Sequence, residues 1–172
     1  MEDYQMLLEQ LNCVYYPTLN PLLYPFGRAN PNDKRIKRVL IIDDDQEMNV
    51  ILREFLRNER GIKTVFAEDP FEAMNQLNQQ VFDTIILDWN LPEMSGPDTL
   101  ARTEQFFRSD PNLPFEWEDK KTKVVIMTGK DRIECRTSNT KHFRYSGFID
   151  KRKHNAKEIA ENIIKFALKE TT

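Results

Sequence analysis

Residue types able to do chemistry together stand at Asp43-Asp44-Asp45, Asp88, Thr128-Gly129 and Asp150-Lys151. Each group follows a short apolar run. Gathered at one rim, Asp43, Asp44 and Asp88 would face each other beside the Thr128 hydroxyl and the Lys151 amine. Two like charges about 4 Å apart repel by about 4 kcal/mol at an effective dielectric of about 20. The three acids must therefore take up protons or share a divalent cation. A small, hard ion that keeps some of its waters and needs few carboxylates is Mg²⁺. A carboxylate beside Mg²⁺, a lysine and a hydroxyl can attack phosphorus in line, and the product is an aspartyl phosphate.

Such a rim needs strands that end together. Arg38–Ile42, Lys63–Ala67, Phe82–Leu87, Lys123–Met127 and Gly147–Ile149 are apolar runs too short for helices and rich in β-branched residues. Between them lie helical patterns. Met48, Ile51, Leu52, Phe55 and Leu56 recur at helical spacing, with Gly61 placed as a C-terminal cap. Asp69-Pro70 reads as a cap and first-turn proline before Ala73, Met74 and Leu77. Pro97 opens a third helix carrying Leu100, Ala101 and Phe107, and Ala156–Leu168 shows the clearest amphipathic face. Asp131–Phe143 has weak periodicity and predicts a short or frayed fourth helix. Apolar strands alternating with amphipathic helices give an α/β fold, a doubly wound five-stranded parallel sheet covered on both faces. In such sheets functional residues gather at the carboxyl ends of the strands.

The rest of the composition excludes other classes. The 172 residues carry 25 Lys+Arg against 28 Asp+Glu, a net charge of -3 that argues against a nucleic-acid partner. No apolar run is long enough for membrane insertion. The acidic start MEDYQMLLEQLN does not read as a signal peptide, and two cysteines fit a reducing, cytoplasmic location. Four of the nine prolines fall before residue 35, among Tyr15, Tyr16, Tyr24 and Phe26. This predicts an N-terminal extension over 1–35 and one domain over 36–172. The extension reads equally as a strap over the domain or as a docking or dimerisation segment, and a homodimer is left open.

The runs IIDDDQEM, LDWNLPEMSG, VVIMTG and GFIDK, in this order and each at a strand end, resemble the receiver domain of bacterial response regulators, in its single-domain chemotaxis type. The resemblance covers residues 36–170 and implies a flavodoxin-like (βα)5 fold. It implies that Asp43 and Asp44 hold Mg²⁺, Asp44 more directly, and that Asp88 accepts the phosphoryl group. Asn90 would complete the metal shell with its backbone carbonyl. Thr128 and Lys151 would bind the phosphoryl oxygens, Gly129 would stay small to admit them, and Phe148 would be the aromatic that turns inward as Thr128 moves. The implied donor is a histidine kinase or phosphotransfer protein. Since few residues follow the last helix, the expected output is changed binding to a downstream protein, and the only reactions catalysed are its own phosphorylation and dephosphorylation.

The chain departs from the family's pattern in two places. Arg152 follows Lys151 where the family usually has proline, often after a cis bond. A cis bond before another residue costs about 2.5–4 kcal/mol, so trans is expected. The segment Ser109–Thr122 is also longer than the family needs. Competing readings are a pseudo-receiver scaffold, supported by Arg152 alone, and a Mg²⁺-dependent aspartyl phosphatase using Asp43 and Asp45. Elsewhere the plain readings stand: Asp45 as a helix cap, Trp89 as a rim residue, Pro92 and Gly96 as turn chemistry, and Cys135 as a packing residue. His142 and His154 are read as surface histidines, and Arg152 and Lys153 as solvated cations.

Overall fold

The apolar runs pair as expected. The computed structural model describes residues 36–109, 121–130 and 139–169. Its elements are β1 (Lys37–Ile42), α1 (Gln46–Leu56), β2 (Ile62–Ala67), α2 (Pro70–Gln79), β3 (Thr84–Leu87), α3 (Gly96–Ser109), β4 (Thr122–Thr128), β5 (Phe143–Asp150) and α4 (Ala156–Leu168). All strand pairs are parallel, in the order β2-β1-β3-β4-β5. This is the expected flavodoxin-like sheet. The predicted 1–35 extension, most of the predicted fourth helix, Cys135 and most of the Ser109–Thr122 insertion lie outside the described residues.

Strand alternation divides the core into two layers. Leu40, Ile42, Ile85, Leu87, Val124 and Ile126 point to the side that also buries Ala73 and Leu77 of α2 and Leu100 of α3. Val39, Ile41, Ile86, Val125 and Met127 point to the side that buries Leu52 and Leu56 of α1 and Ile159, Ile163 and Ala167 of α4. Period-two alternation therefore decides which helix pair each strand residue meets.

Caps and side-chain anchors set the helix ends. Asp45 accepts a hydrogen bond from the Met48 amide at 2.9 Å and is the N-cap of α1, as expected. Asp69 caps α2 ahead of Pro70. Asn155 and Glu158 form a reciprocal capping box on α4. At the other end of α4, the Lys123 ammonium reaches across from β4 to the carbonyls of Phe166 and Lys169, each at 2.8 Å. A cation there complements the negative end of the helix dipole.

Several local expectations need correction. Gly61 does not cap α1. Arg57 ends that helix, and Gly61 lies in the turn into β2 with φ 90, where a side chain would be strained. On α1 the buried residues are Asn49, Leu52 and Leu56, while Ile51 and Phe55 are exposed. Leu168 is exposed on α4. On α3 the inward face is Thr99, Leu100, Thr103 and Glu104, with Ala101 exposed. The two threonines escape an apolar pattern because each hydroxyl bonds the carbonyl one turn back, Thr99 to Ser95 and Thr103 to Thr99. Finally, β5 begins at Phe143 rather than Gly147. A register shift between Val124 and Val125 leaves Ser146 as an extra residue, which hides the strand's alternation in the sequence.

Candidate functional site

The register of the central strands brings the acids together. Ile42 pairs with Leu87, so Asp43 and Asp88 each stand one residue past a matched pair on neighbouring strands. The ladder continues into both: the Asp43 amide donates to the Ala67 carbonyl and the Asp88 amide to the Ile42 carbonyl. By parity with Ile41, Ile86 and Ile149, the side chains of Asp43, Asp88 and Lys151 fall on the α1/α4 side of the sheet. The Lys151 ammonium lies 2.6 Å from Asp43 Oδ2 and 2.7 Å from Asp88 Oδ2. Asp44 is exposed beside them, and carboxylate oxygens of Asp43, Asp44 and Asp88 lie within 4.8 Å of one another.

Each buried acid is also fixed from behind. Asp43 Oδ1 accepts from the Asp45 amide and Asp88 Oδ1 from the Asn90 amide, both at 3.1 Å. Asn90 is exposed just beyond β3, where an isolated bridge joins it to Ser95. Asn49, which the sequence reading missed, is buried on α1 and donates to the Asp43 carbonyl at 2.8 Å. Its signal was an amide at a position where helical spacing asks for an apolar residue. Gly96 closes the loop after Asp88. Its amide donates to the Trp89 carbonyl at 3.0 Å, and a Cβ there would run into the Asp88 carbonyl oxygen and the Leu87 side chain. Gly96 is thus required by close approach, beyond turn chemistry. Trp89, one residue past Asp88, is half-buried and packs against the α2/α3-side core.

Thr128 is buried at the end of β4, and its hydroxyl oxygen lies 3.4 Å from the Lys130 amide. Phe148 is half-buried against the α2/α3-side core. Ile126 pairs with Phe148, so Thr128 and Phe148 lie on one face of the sheet, opposite the acids and Lys151. Among the described residues, a Cβ on Gly129 would meet only the Arg152 stem, at 3.9 Å.

The electrostatics match the excess of acids. Burial raises the Asp43 carboxyl to about 6, even though Lys151 opposes the shift. Burial alone would depress the Lys151 ammonium, but attraction to Asp43 and Asp88 outweighs it and raises its pKa. One ammonium thus serves two buried carboxylates, and a third acid waits at the surface. Three hard oxygen donors with surplus negative charge fit a divalent cation such as Mg²⁺.

One expectation about charged residues fails. His142 is not a surface histidine. It is buried, with Nδ1 3.1 Å from Glu104 Oε1, and its amide donates to the same oxygen at 3.1 Å. Arg152 and Lys153 are exposed, as expected, and both also pair with Asp150, at 2.8 and 3.5 Å. His154 is half-exposed, 3.8 Å from Glu158. Every peptide bond among the described residues is trans, that before Arg152 included.

The comparisons with known proteins agree with this fold. The family described as Response regulator receiver domain matches residues 39–163. The chemotaxis protein CheY of Pseudomonas aeruginosa is 31% identical over 90 residues, covering 51% of this chain and 73% of that protein. Among solved structures, the response regulator TrrA from Thermotoga maritima, in complex with Mg²⁺ and BeF, has a TM-score of 0.53 at 22% identity, covering 75% of this chain and 97% of that one. The Mn²⁺-bound form of response regulator Rcp1 has a TM-score of 0.56 at 22% identity, covering 79% of this chain and 97% of that one.

Proposed function

The chain belongs to the response regulator receiver domain family, and from that premise we propose that Asp88 is its phosphoacceptor. The observation that carries this reading is the buried Asp43–Lys151–Asp88 arrangement, with Asp44 beside it. A carboxylate oxygen of Asp88 attacks phosphorus. The bond from phosphorus to the donor breaks, and the donor leaves with that electron pair. With a histidine kinase or phosphotransfer protein as donor, the leaving group is an imidazole.

Asp43, Asp44 and the Asn90 carbonyl would hold Mg²⁺ together with Asp88. When bound, the ion neutralises negative charge on the acids and the incoming phosphoryl oxygens. Lys151 pairs with Asp88 and then with a transferred oxygen. Thr128, at the neighbouring strand end, donates its hydroxyl to another. Its movement and that of Phe148, on the same sheet face, alter the surface offered to a downstream protein. This is a population shift driven by a covalent charge. On this reading the protein is a signalling module in the cytoplasm, with residues 1–35 as an appendage to the domain over 36–172.

The phosphatase reading loses its second acid, because Asp45 is spent capping α1. The pseudo-receiver reading loses its support, because Arg152 pairs with Asp150 and leaves Lys151 on the acids. The test is incubation with acetyl phosphate, with and without Mg²⁺, followed by intact mass. We expect a Mg²⁺-dependent gain of one phosphate that Asp88→Asn abolishes. No gain by the folded wild type overturns the proposal.

A further inference from the structure

Lys151 begins a run of consecutive cations, Lys151-Arg152-Lys153, next to two buried acids. Any of them could compete for Asp43 and Asp88, yet only Lys151 reaches both. Asp150 does the sorting. It is the last residue of β5 and is only 7% exposed. Its Oδ1 accepts from both the amide and Nε of Arg152, each at 3.0 Å, and its Oδ2 accepts from Arg152 Nη2 at 2.8 Å. Lys153 adds its ammonium at 3.5 Å, and its amide donates to the Asp150 carbonyl at 3.1 Å. The hydrogen bond from Arg152 holds the Asp150 carboxyl well below the usual carboxylate range.

These contacts fix the backbone on both sides of Lys151. Upstream, the Lys151 amide donates to the Thr128 carbonyl at 3.0 Å and ties the residue to β4. Downstream, the Arg152 and Lys153 amides close a turn onto Asp150. The planar guanidinium grips both carboxylate oxygens with a rigid fork of N–H donors, a fixed geometry that a freely rotating ammonium lacks. Proline at position 152 would stiffen the turn by fixing φ but would lose the amide that Asp150 accepts. Arginine reaches stiffness by another route.

We propose that the Asp150–Arg152 pair is a positioning clamp, which holds the β5–α4 turn so that the Lys151 ammonium bridges Asp43 and Asp88 and the neighbouring cations stay off them. The proposal rests on the Asp88 reading for its consequence in phosphorylation, though not for its geometry. Arg152 acts through Lys151 and touches none of the three acids of the site in the contacts above.

The test compares wild type, Arg152→Ala, Arg152→Lys, Asp150→Asn and the Asp150→Asn/Arg152→Ala double variant, all checked for folding by circular dichroism. The first readout is the ¹H–¹⁵N signal of the Lys151 ammonium, assigned with Lys151→Met, and its hydrogen-exchange rate without any phosphodonor. Arg152→Ala is expected to speed that exchange about tenfold and to slow phosphate gain from acetyl phosphate by a similar factor, the scale set by misplacing a group that must be aligned. Mg²⁺ affinity should stay unchanged. Arg152→Lys should fail to restore either readout, and the double variant should be no worse than the worse single one. Wild-type exchange in Arg152→Ala, or full recovery in Arg152→Lys, overturns the clamp. Failure of the wild type to take phosphate overturns the Asp88 reading instead, and the exchange readout still decides the clamp.

Discussion

Buried ionisable groups occupy both ends of this sheet, and they are balanced differently. At the carboxyl ends of the strands, Asp43 and Asp88 share one ammonium while Asp44 adds further negative charge. At the amino ends, beside the start of β5, Glu104 pairs with His142 and also takes the His142 amide. The first cluster has acids to spare and an open side. The second is buried, with Glu104 3% and His142 2% exposed. A buried cluster with excess charge is unstable by itself and ready to bind something of the opposite sign. A paired one links α3 to the β4–β5 connection and offers no ligand a reason to enter.

The widest separation should appear in phosphorylation. Asp88→Asn removes it, whereas Glu104→Ala should leave the rate of the folded protein within about twofold, since it touches no reacting group. Mass spectrometry on both variants checks this. If Glu104→Ala also abolishes phosphate gain in folded protein, the two ends are coupled and the contrast breaks.

Stability should reverse the ranking. Glu104→Ala removes the carboxylate that pairs with the buried His142 imidazole and accepts from its amide, and should cost about 3 kcal/mol. Asp43→Asn, without Mg²⁺ at pH 7, should instead stabilise by about 1 kcal/mol, because ionised Asp43 is unfavourable where it sits. Urea unfolding of both variants measures the difference. Destabilisation by Asp43→Asn would show that the rim acids are satisfied after all.

Gly96→Ala tests how tightly the rim is built. The new methyl meets the Asp88 carbonyl oxygen, and the cost should be about 1–3 kcal/mol together with slower phosphorylation. Thermal unfolding and the acetyl phosphate assay would both register it. Gly147→Ala is the control: its methyl meets the Phe166 ring instead, so stability should fall without a change in phosphorylation rate.

The pH dependence is the subtlest effect. Asp43 holds its proton up to about 6 in the folded protein and to the ordinary 3.8 when unfolded. Between those values the folded state binds the extra proton. Stability of the metal-free protein therefore falls as pH rises through this window and is level above it. Mg²⁺ needs the ionised carboxylate, so its affinity should weaken by up to about tenfold per unit below pH 6. Calorimetric titration at several pH values checks this, and a flat profile would mean that Asp43 is not a ligand.

Much of this was legible in the chain because it is local. Period-two and helical spacing placed the strands and helices, and Asp45 and Asp69 announced their caps through position alone. Parallel pairing then gathers the strand ends, so Asp43, Asp88 and Lys151 could be grouped before their distances were known. Polar helix faces were harder. Thr99 and Thr103 look exposed in a sequence, yet each hides its hydroxyl on a carbonyl one turn back. The start of β5 was obscured by the extra residue Ser146, which breaks the alternation.

By itself the sequence determined the order of elements, the sheet's parallel character and the residue types at its rim, all consequences of short-range periodicity. Only the tertiary structure decided the partners of charge. His142 needed Glu104 from 38 residues away, and Asn49 needed the Asp43 carbonyl at the end of another element. Asp150 takes Arg152 and Lys153 while Lys151 crosses to Asp43 and Asp88. Which of several like charges finds which counter-ion depends on distance, burial and direction in space, and spacing along the chain does not encode those.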